Sequence, residues 1–131
     1  MKKIISFTLI LFFCANLYSQ ELKYVRNTIS RYYKLDPKTV NLWVKDLNGC
    51  KGFRSFFVDK LTKNKLLIGM PQDLFFDLFG KADFIGEDGI FIYFSGCKCD
   101  NKLKRIPETD FTQIVFQFKE GKLFSIEVAI P

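Results

Sequence analysis

The chain has 131 residues with a formal net charge of +6, and it contains no histidine. The lack of histidine excludes serine–histidine and cysteine–histidine nucleophilic catalysis and removes the commonest metal ligand, and glycine-rich phosphate loops and dinucleotide fingerprints are also missing. We therefore predict a protein that is not an enzyme and that has no catalytic, cofactor-binding or metal-binding residues.

The first predicted element is an export signal. Lys2 and Lys3 precede an apolar run from Ile4 to Phe13, and small or polar residues follow it. This layout is typical of a secretory signal peptide, and the run is shorter than the roughly 20 apolar residues that span a bilayer. We predict a signal peptide over residues 1–19, a single domain over residues 20–131, and a periplasmic or extracellular location.

Cys14 leaves a second way of processing this leader open. A cysteine after an apolar run can become the lipidated N-terminus of a bacterial lipoprotein, although Phe13 is larger than the residue that usually precedes it. A soluble form is favoured, and contact with a membrane is expected only if Cys14 is lipidated. The sequence carries no recognisable nucleic-acid motif, so no nucleic-acid partner is expected.

Four helical segments are predicted in the first part of the domain. Apolar residues at helical spacing indicate an amphipathic helix over residues 21–33. Residues 36–49 begin with Asp-Pro, a capping pair, and end at a glycine that favours a left-handed stop. The third predicted helix covers residues 53–61, and its apolar residues Phe53, Phe56, Phe57 and Leu61 are expected on one side. A fourth helix is predicted over residues 71–80.

The pattern then changes to the two-residue period of strands. Residues 89–95, 112–118 and 123–130 are rich in aromatic and β-branched residues, and the last two alternate apolar with polar side chains. Such alternation predicts antiparallel strands with one polar face. Helices followed by strands predict an α+β domain of two layers, in which N-terminal helices pack on a three-stranded antiparallel meander. The last strand is expected to point Phe124, Ile126, Val128 and Ile130 inward.

Carboxylates are the only conventional acid–base candidates that remain. Asp73 and Asp77 lie one turn apart on the fourth helix, while Asp83, Glu87 and Asp88 cluster in the following loop and could bind a cation. Nothing in the sequence indicates the burial or the close like charge that a functional acid needs. We therefore interpret both groups as solvated surface charge.

The three cysteines outside the leader predict one disulfide. In an oxidising compartment Cys50 is expected to pair with Cys97 or with Cys99, which leaves one thiol over. The segment Cys97-Lys98-Cys99 also leaves open a redox role, since it is loosely similar to disulfide-exchange motifs. A three-thiolate metal site ranks last because a fourth ligand is lacking.

One stretch of the sequence resembles a known family. Leu67-Ile68-Gly69-Met70, then Leu74, then the run from Leu78 to Asp83, and finally Gly121-Lys122 resemble the SmpA/OmlA (BamE-like) family of small outer-membrane lipoproteins and the related β-lactamase-inhibitor-protein fold. Ala82 departs from that pattern, which usually has proline there. The resemblance implies a BamE-like part over residues 66–131, with helices against a three-stranded sheet.

The family's members assist outer-membrane protein assembly or hold protein partners on the sheet. Residues 20–62, the helical N-terminal part, resemble uncharacterised exported proteins of Bacteroidetes-type bacteria. The leading hypothesis is therefore a non-catalytic protein-binding or envelope-structural module whose partner is another envelope or secreted protein. A thiol-active or small-ligand-binding periplasmic protein is the alternative.

Overall fold

The computed structural model of the chain describes residue 17 and residues 20–130, so the predicted signal peptide, apart from Leu17, and Cys14 lie outside the described residues. The described part is an α+β fold with a helical layer on one face of an antiparallel sheet, as predicted. Helix α1 covers residues 20–32. The further elements are α2 (Pro37–Lys45), α3 (Val58–Lys63), α4 (Gln72–Phe79), β1 (Phe84–Ile85), β2 (Ile90–Cys97), β3 (Phe111–Lys119) and β4 (Lys122–Ala129).

The third predicted helix is divided in the structure. Residues Arg54–Phe57 form a 3-10 turn, and α3 starts only at Val58. A 3-10 helix has three residues per turn, so Arg54 and Phe57 share the inner side and are each 1% exposed. Phe53 and Phe56 share the outer side, where Phe56 is 85% exposed. The prediction that all three phenylalanines lie on one side was therefore wrong.

The sheet has four strands, in the order β1-β2-β3-β4, rather than the predicted three. The additional strand β1 pairs antiparallel with β2, so that Phe84 lies opposite Ile92 and Ile85 opposite Phe91. The turn between these strands has positive φ at Asp88 (55°) and at Gly89 (75°), the geometry of a type I′ hairpin turn. Two residues are too short for the alternating pattern to be visible in the sequence, and this is why β1 was missed.

A bulge displaces one aromatic residue of the last hairpin. Glu120 and Gly121 connect β3 to β4 with positive φ at both positions, as the glycine in this loop predicted. The register then shifts so that Gln117 faces Ser125 while Phe118 faces Leu123. The residue between those two partners, Phe124, is 58% exposed. The predicted inward orientation of Phe124 was wrong because a bulge interrupts the two-residue alternation.

An aromatic core lies between the two layers. Trp43 of α2 is 1% exposed, and its ring contacts rings from a 3-10 turn, from α4 and from two strands. Burying one large apolar side chain contributes about 1.5–3 kcal/mol, so this cluster is a main stabilising feature of the fold. The rings that pack around Trp43 or around Phe75 of α4 belong to Phe57, Phe76, Phe79, Tyr93, Phe116 and Phe118.

Candidate functional site

A buried ion pair joins the helical layer to the start of the sheet. Arg54 Nη1 lies 2.6 Å from Asp83 Oδ2, and the two side chains are 1% and 7% exposed. Arg54 also donates from Nε to the Trp43 carbonyl at 3.1 Å and from Nη1 to the Phe94 carbonyl at 3.1 Å. The guanidinium carbon lies 5.0 Å from the Trp43 ring centroid and 5.4 Å from that of Tyr93, within reach of a cation–π interaction.

The carboxylates around Arg54 are occupied by backbone donors. Asp83 Oδ2 accepts from the Phe94 N–H at 2.8 Å, and its Oδ1 accepts from the Asn48 N–H at 3.2 Å. The buried Asp46 accepts from the backbone N–H of Lys51 at 2.7 Å and of Arg54 at 3.2 Å. Hydrogen bonds of this kind offset the cost of removing these charges from water. We interpret the network as a structural anchor that holds the segment after α2 against β2.

The acidic candidates predicted from the sequence are not brought together. Asp83 points at Arg54, whereas Glu87 and Asp88 are exposed in the β1–β2 turn. Asp73 and Asp77 are both exposed on α4, and Asp73 Oδ1 accepts from the next backbone N–H. Within residues 17 and 20–130, no group of three or more cysteine or acidic side chains is placed to hold a metal ion.

The disulfide joins Cys50 to Cys99, with 5.6 Å between their Cα atoms and a sequence separation of 49. The sequence left two partners for Cys50 open, and in the structure the partner is Cys99 rather than Cys97. Cys97 is a partly buried free thiol. Burial raises the pKa of Cys97, an effect that the nearby Arg105 partly offsets. Because the thiolate is the reactive form, the raised pKa disfavours nucleophilic chemistry at Cys97.

The face of the sheet that points away from the helices is more apolar than predicted. Residues that lie directly opposite each other in an antiparallel pair point to the same face. The pairs Phe91–Phe116 and Tyr93–Ile114 are buried, so the intervening pair Ile92–Val115 points outward. We define the outer sheet face by its apolar side chains, which are Phe84, Ile90, Ile92, Phe94 and Val115.

These side chains do not belong to the core. Ile90, Ile92, Phe94 and Val115 are each partly exposed, none is among the residues packed against the buried cluster, and Phe84 is 57% exposed. The prediction of a polar outer face holds for Gln113 and Gln117 of β3 but fails for β2. Contiguous exposed apolar surface of this kind marks interaction sites on soluble domains.

An arginine covers one end of the outer sheet face. The Arg105 guanidinium carbon lies 4.4 Å from the Phe111 ring centroid and 5.3 Å from that of Phe94, and the two rings are 5.4 Å apart. Arg105 is held there by an isolated β-bridge to Cys99, a residue of the disulfide. The β-bridge therefore holds the backbone of Arg105 at the rim of an apolar surface, where its guanidinium packs on two aromatic rings. Arginine and aromatic residues are enriched at binding hot spots.

Sequence reasoning missed both Arg54 and the outer sheet face. The run Ile90-Phe91-Ile92-Tyr93-Phe94 is apolar at every position, which is the pattern of a strand with apolar side chains on both faces. This run could therefore have indicated an apolar outer sheet face. Arg54 lies among phenylalanines, but its sequence neighbours alone do not reveal the distant Asp83 that pairs with it.

A scan against protein-family models, a search of curated proteins and a search of solved structures each found no match to this chain. Within the part of the chain that the structure describes, no helix combines the length and the apolar character needed to cross a bilayer.

Proposed function

We propose that the protein is an exported, non-catalytic module that binds another envelope or secreted protein through the outer sheet face. The observation that carries this proposal is the apolar surface over Ile90, Ile92 and Val115, side chains that do not pack against the buried cluster of the described residues. Burying apolar area contributes about 25 cal/mol per Å², and a protein partner offers a complementary surface of that kind.

The rim of this face supports a protein rather than a small ligand as the partner. Arginine and aromatic residues contribute a large share of the binding free energy at protein interfaces, and Arg105 is already ordered over Phe94 and Phe111. Preformed side chains lose less conformational entropy on binding. The face is also a sheet surface rather than a closed cavity, whereas small-molecule sites are concave.

The double substitution Ile92→Thr and Val115→Thr tests the proposal. Threonine keeps the β-branched shape that strands favour, so the sheet is retained while two apolar contacts are removed. We expect a partner that is cross-linked to the native protein in intact cells to be lost from the double variant. The matched control is Phe56→Ser, which removes an exposed aromatic ring from the helical side. Recovery of the same cross-linked species from the Thr variant would refute the assignment of this face.

Export is proposed together with this function, on the strength of the N-terminal pattern of charge and apolar residues. Sequencing the N-terminus of the protein isolated from its source should find a chain that begins at Gln20, or a lipidated Cys14. A cytosolic protein with its first 20 residues intact would refute it.

We also propose kinship with the SmpA/OmlA (BamE-like) family over residues 66–131. Support comes from helix α4, which ends at Phe79 with Gly80 as its C-cap and is followed by antiparallel strands in one layer. The strand β1 and the helices before residue 66 are additions to the arrangement that this kinship implies. A sequence profile of close relatives of this chain that fails to align with the family over these residues would overturn the kinship.

The free thiol Cys97 is the observation that favours a thiol-active protein as the second candidate. Exchange would require its thiolate to attack the neighbouring bridge, and the raised pKa of Cys97 opposes this. Replacing Cys97 by serine should leave any disulfide-exchange activity of the purified protein unchanged, and a loss of that activity would favour the second candidate instead.

A further inference from the structure

A basic groove lies between helices α1 and α2, on the helical layer rather than on the outer sheet face. Its volume is about 340 Å³. The groove contains three lysines and two asparagines and no carboxylate, and the seven residues that line it are Lys23, Asn27, Pro37, Lys38, Asn41, Leu42 and Lys45. All three lysines are exposed, so their ammonium groups are available to a ligand.

A chain of hydrogen bonds fixes the amide of Asn27 in this groove. The Pro37 carbonyl only accepts, so the Asn41 group that lies 2.8 Å from it must be the donor Nδ2. The same Nδ2 donates to Asn27 Oδ1 at 2.9 Å, and Asn41 Oδ1 accepts from Arg26 Nη1 at 3.3 Å. The oxygen of Asn27 is therefore used. Its Nδ2 has no acceptor among the described residues, and it can donate to a ligand.

Asp36, which precedes Pro37 of the groove, and Asp77 have partners of their own. Asp36 accepts from the Thr39 hydroxyl at 2.8 Å, and this bond lowers the pKa of Asp36. Asp77 lies beside Arg26, and its carbonyl accepts from Arg26 Nε at 3.3 Å. The charge that faces the interior of the groove is therefore positive, since neither of these carboxylates is part of its lining.

We propose that this groove binds a phosphate-bearing anion, held by the ammonium groups of Lys23, Lys38 and Lys45 and by the amide of Asn27. Lysine is an effective point-charge ligand for phosphate. Three ammonium groups around one groove suit a multiply charged anion, and a phosphate monoester carries about −1.5 to −2 charges at pH 7 whereas a carboxylate carries one. The two sources that fit this chemistry are a lipid whose headgroup is a phosphate monoester and a soluble polyphosphate.

Titrations with two probes test the site and separate these two sources. The protein, purified as its host processes it, is titrated at low ionic strength with inorganic tripolyphosphate, and separately with phosphatidylcholine vesicles with and without phosphatidic acid, whose headgroup is a phosphate monoester. We expect binding that weakens as salt is added, because exposed charges are screened. Binding of the vesicles alone would assign the site to lipid headgroups, and binding of tripolyphosphate alone would assign it to soluble phosphates.

Two triple variants with the same change in net charge show whether the groove is the site. Replacing Lys23, Lys38 and Lys45 by glutamine should weaken binding at least about tenfold, a loss of about 1.4 kcal/mol. The control replaces Lys98, Lys102 and Lys104, three exposed lysines of the β2–β3 connection, by glutamine. If the protein binds neither tripolyphosphate nor the vesicles, or if the control variant loses as much binding as the groove variant, the proposal is overturned.

A single substitution tests the role of the ordered amide. In Asn27→Asp the oxygen that accepts from Asn41 is retained, while the donor group is replaced by a negative charge. We expect tripolyphosphate or vesicle binding to fall about tenfold or more, because a charge-assisted hydrogen bond is lost and a like charge faces the anion. A variant that binds as tightly as the native protein would contradict the geometry assigned to Asn27.

Discussion

Replacing Asp83 by asparagine removes the negative charge opposite Arg54 and leaves the shape of the side chain almost unchanged. The ion pair is 2.6 Å long and both side chains are buried. Two unit charges 4 Å apart attract by about 4 kcal/mol at an effective dielectric constant of ~20, and breaking a buried pair by removing one partner costs about 3–5 kcal/mol. We therefore expect Asp83→Asn to lower the free energy of unfolding by about 3–4 kcal/mol.

Urea denaturation at pH 7, followed by tryptophan fluorescence, measures this loss. Trp43 is the only tryptophan of the chain, and its ring lies against the Arg54 guanidinium, so the signal comes from the perturbed region. The slope of the transition in urea is about 1–3 kcal/mol per molar for small domains, so the midpoint should fall by at least about 1 M.

Asp88→Asn is the matched control, since it makes the same chemical change at an exposed turn position with φ of 55°. Asparagine tolerates this left-handed conformation, and the control should stay within about 0.5 kcal/mol of the native protein. The double variant Arg54→Met/Asp83→Asn should recover part of the loss, because it no longer buries an unpaired cation. Equal stabilities of Asp83→Asn and Asp88→Asn would refute the reasoning.

Three further predictions concern the disulfide, a hairpin turn and the free thiol. Replacing Cys50 and Cys99 by alanine should lower the free energy of unfolding by about 4 kcal/mol in the chain-entropy account, given the 49-residue separation; thermal unfolding measures this, and no change in Tm would contradict it. Gly89→Ala should destabilise more than Gly121→Ala in urea, because both glycines have φ of 75° but only at Gly89 would a Cβ lie 2.6 Å from the Phe118 carbonyl oxygen; equal losses would show that the backbone relaxes. Burial raises the pKa of Cys97, so its thiolate forms at higher pH than that of an unperturbed cysteine. The rate at which Cys97 is alkylated should therefore reach its plateau at higher pH than the rate for a cysteine in a small peptide. A plateau at the same or a lower pH than the peptide's would contradict this.

The parts of the fold that local chemistry determines could be predicted from the sequence. Pro37 occupies the first position of α2, as the Asp-Pro start indicated. The backbone is left-handed at Asn48 and Gly49, as the glycine predicted. The predicted end of the helix at Gly49 was wrong, since α2 ends at Lys45 and residues Leu47–Gly49 form a separate 3-10 turn. The three long strands follow from alternation and from β-branched and aromatic residues. Each of these signals depends only on neighbours within a few positions.

The features that were missed depend on distant partners. Arg54 is buried because Asp83, 29 residues further along the chain, lies opposite it. The shift at Phe124 depends on the register between β3 and β4. The choice between Cys97 and Cys99 depends on where the β2–β3 connection passes Cys50. The periodicity of a single segment carries no information about distant partners. The Arg54–Asp83 ion pair and the Cys50–Cys99 pairing could therefore be identified only from the three-dimensional structure.

The Cys50–Cys99 disulfide makes the position of Arg105 depend on the redox conditions in which the chain folds. The backbone of Cys99 pairs with that of Arg105, and its sulfur is bonded to Cys50. The disulfide therefore ties the segment that carries Arg105 to the helical layer, and it does so only when the chain folds under oxidising conditions. In oxidised molecules the β2–β3 connection that carries Arg105 is held by the disulfide. In reduced molecules this connection lacks the covalent constraint and can move further. One sequence would thus give two forms of this surface, which differ in how firmly Arg105 is held.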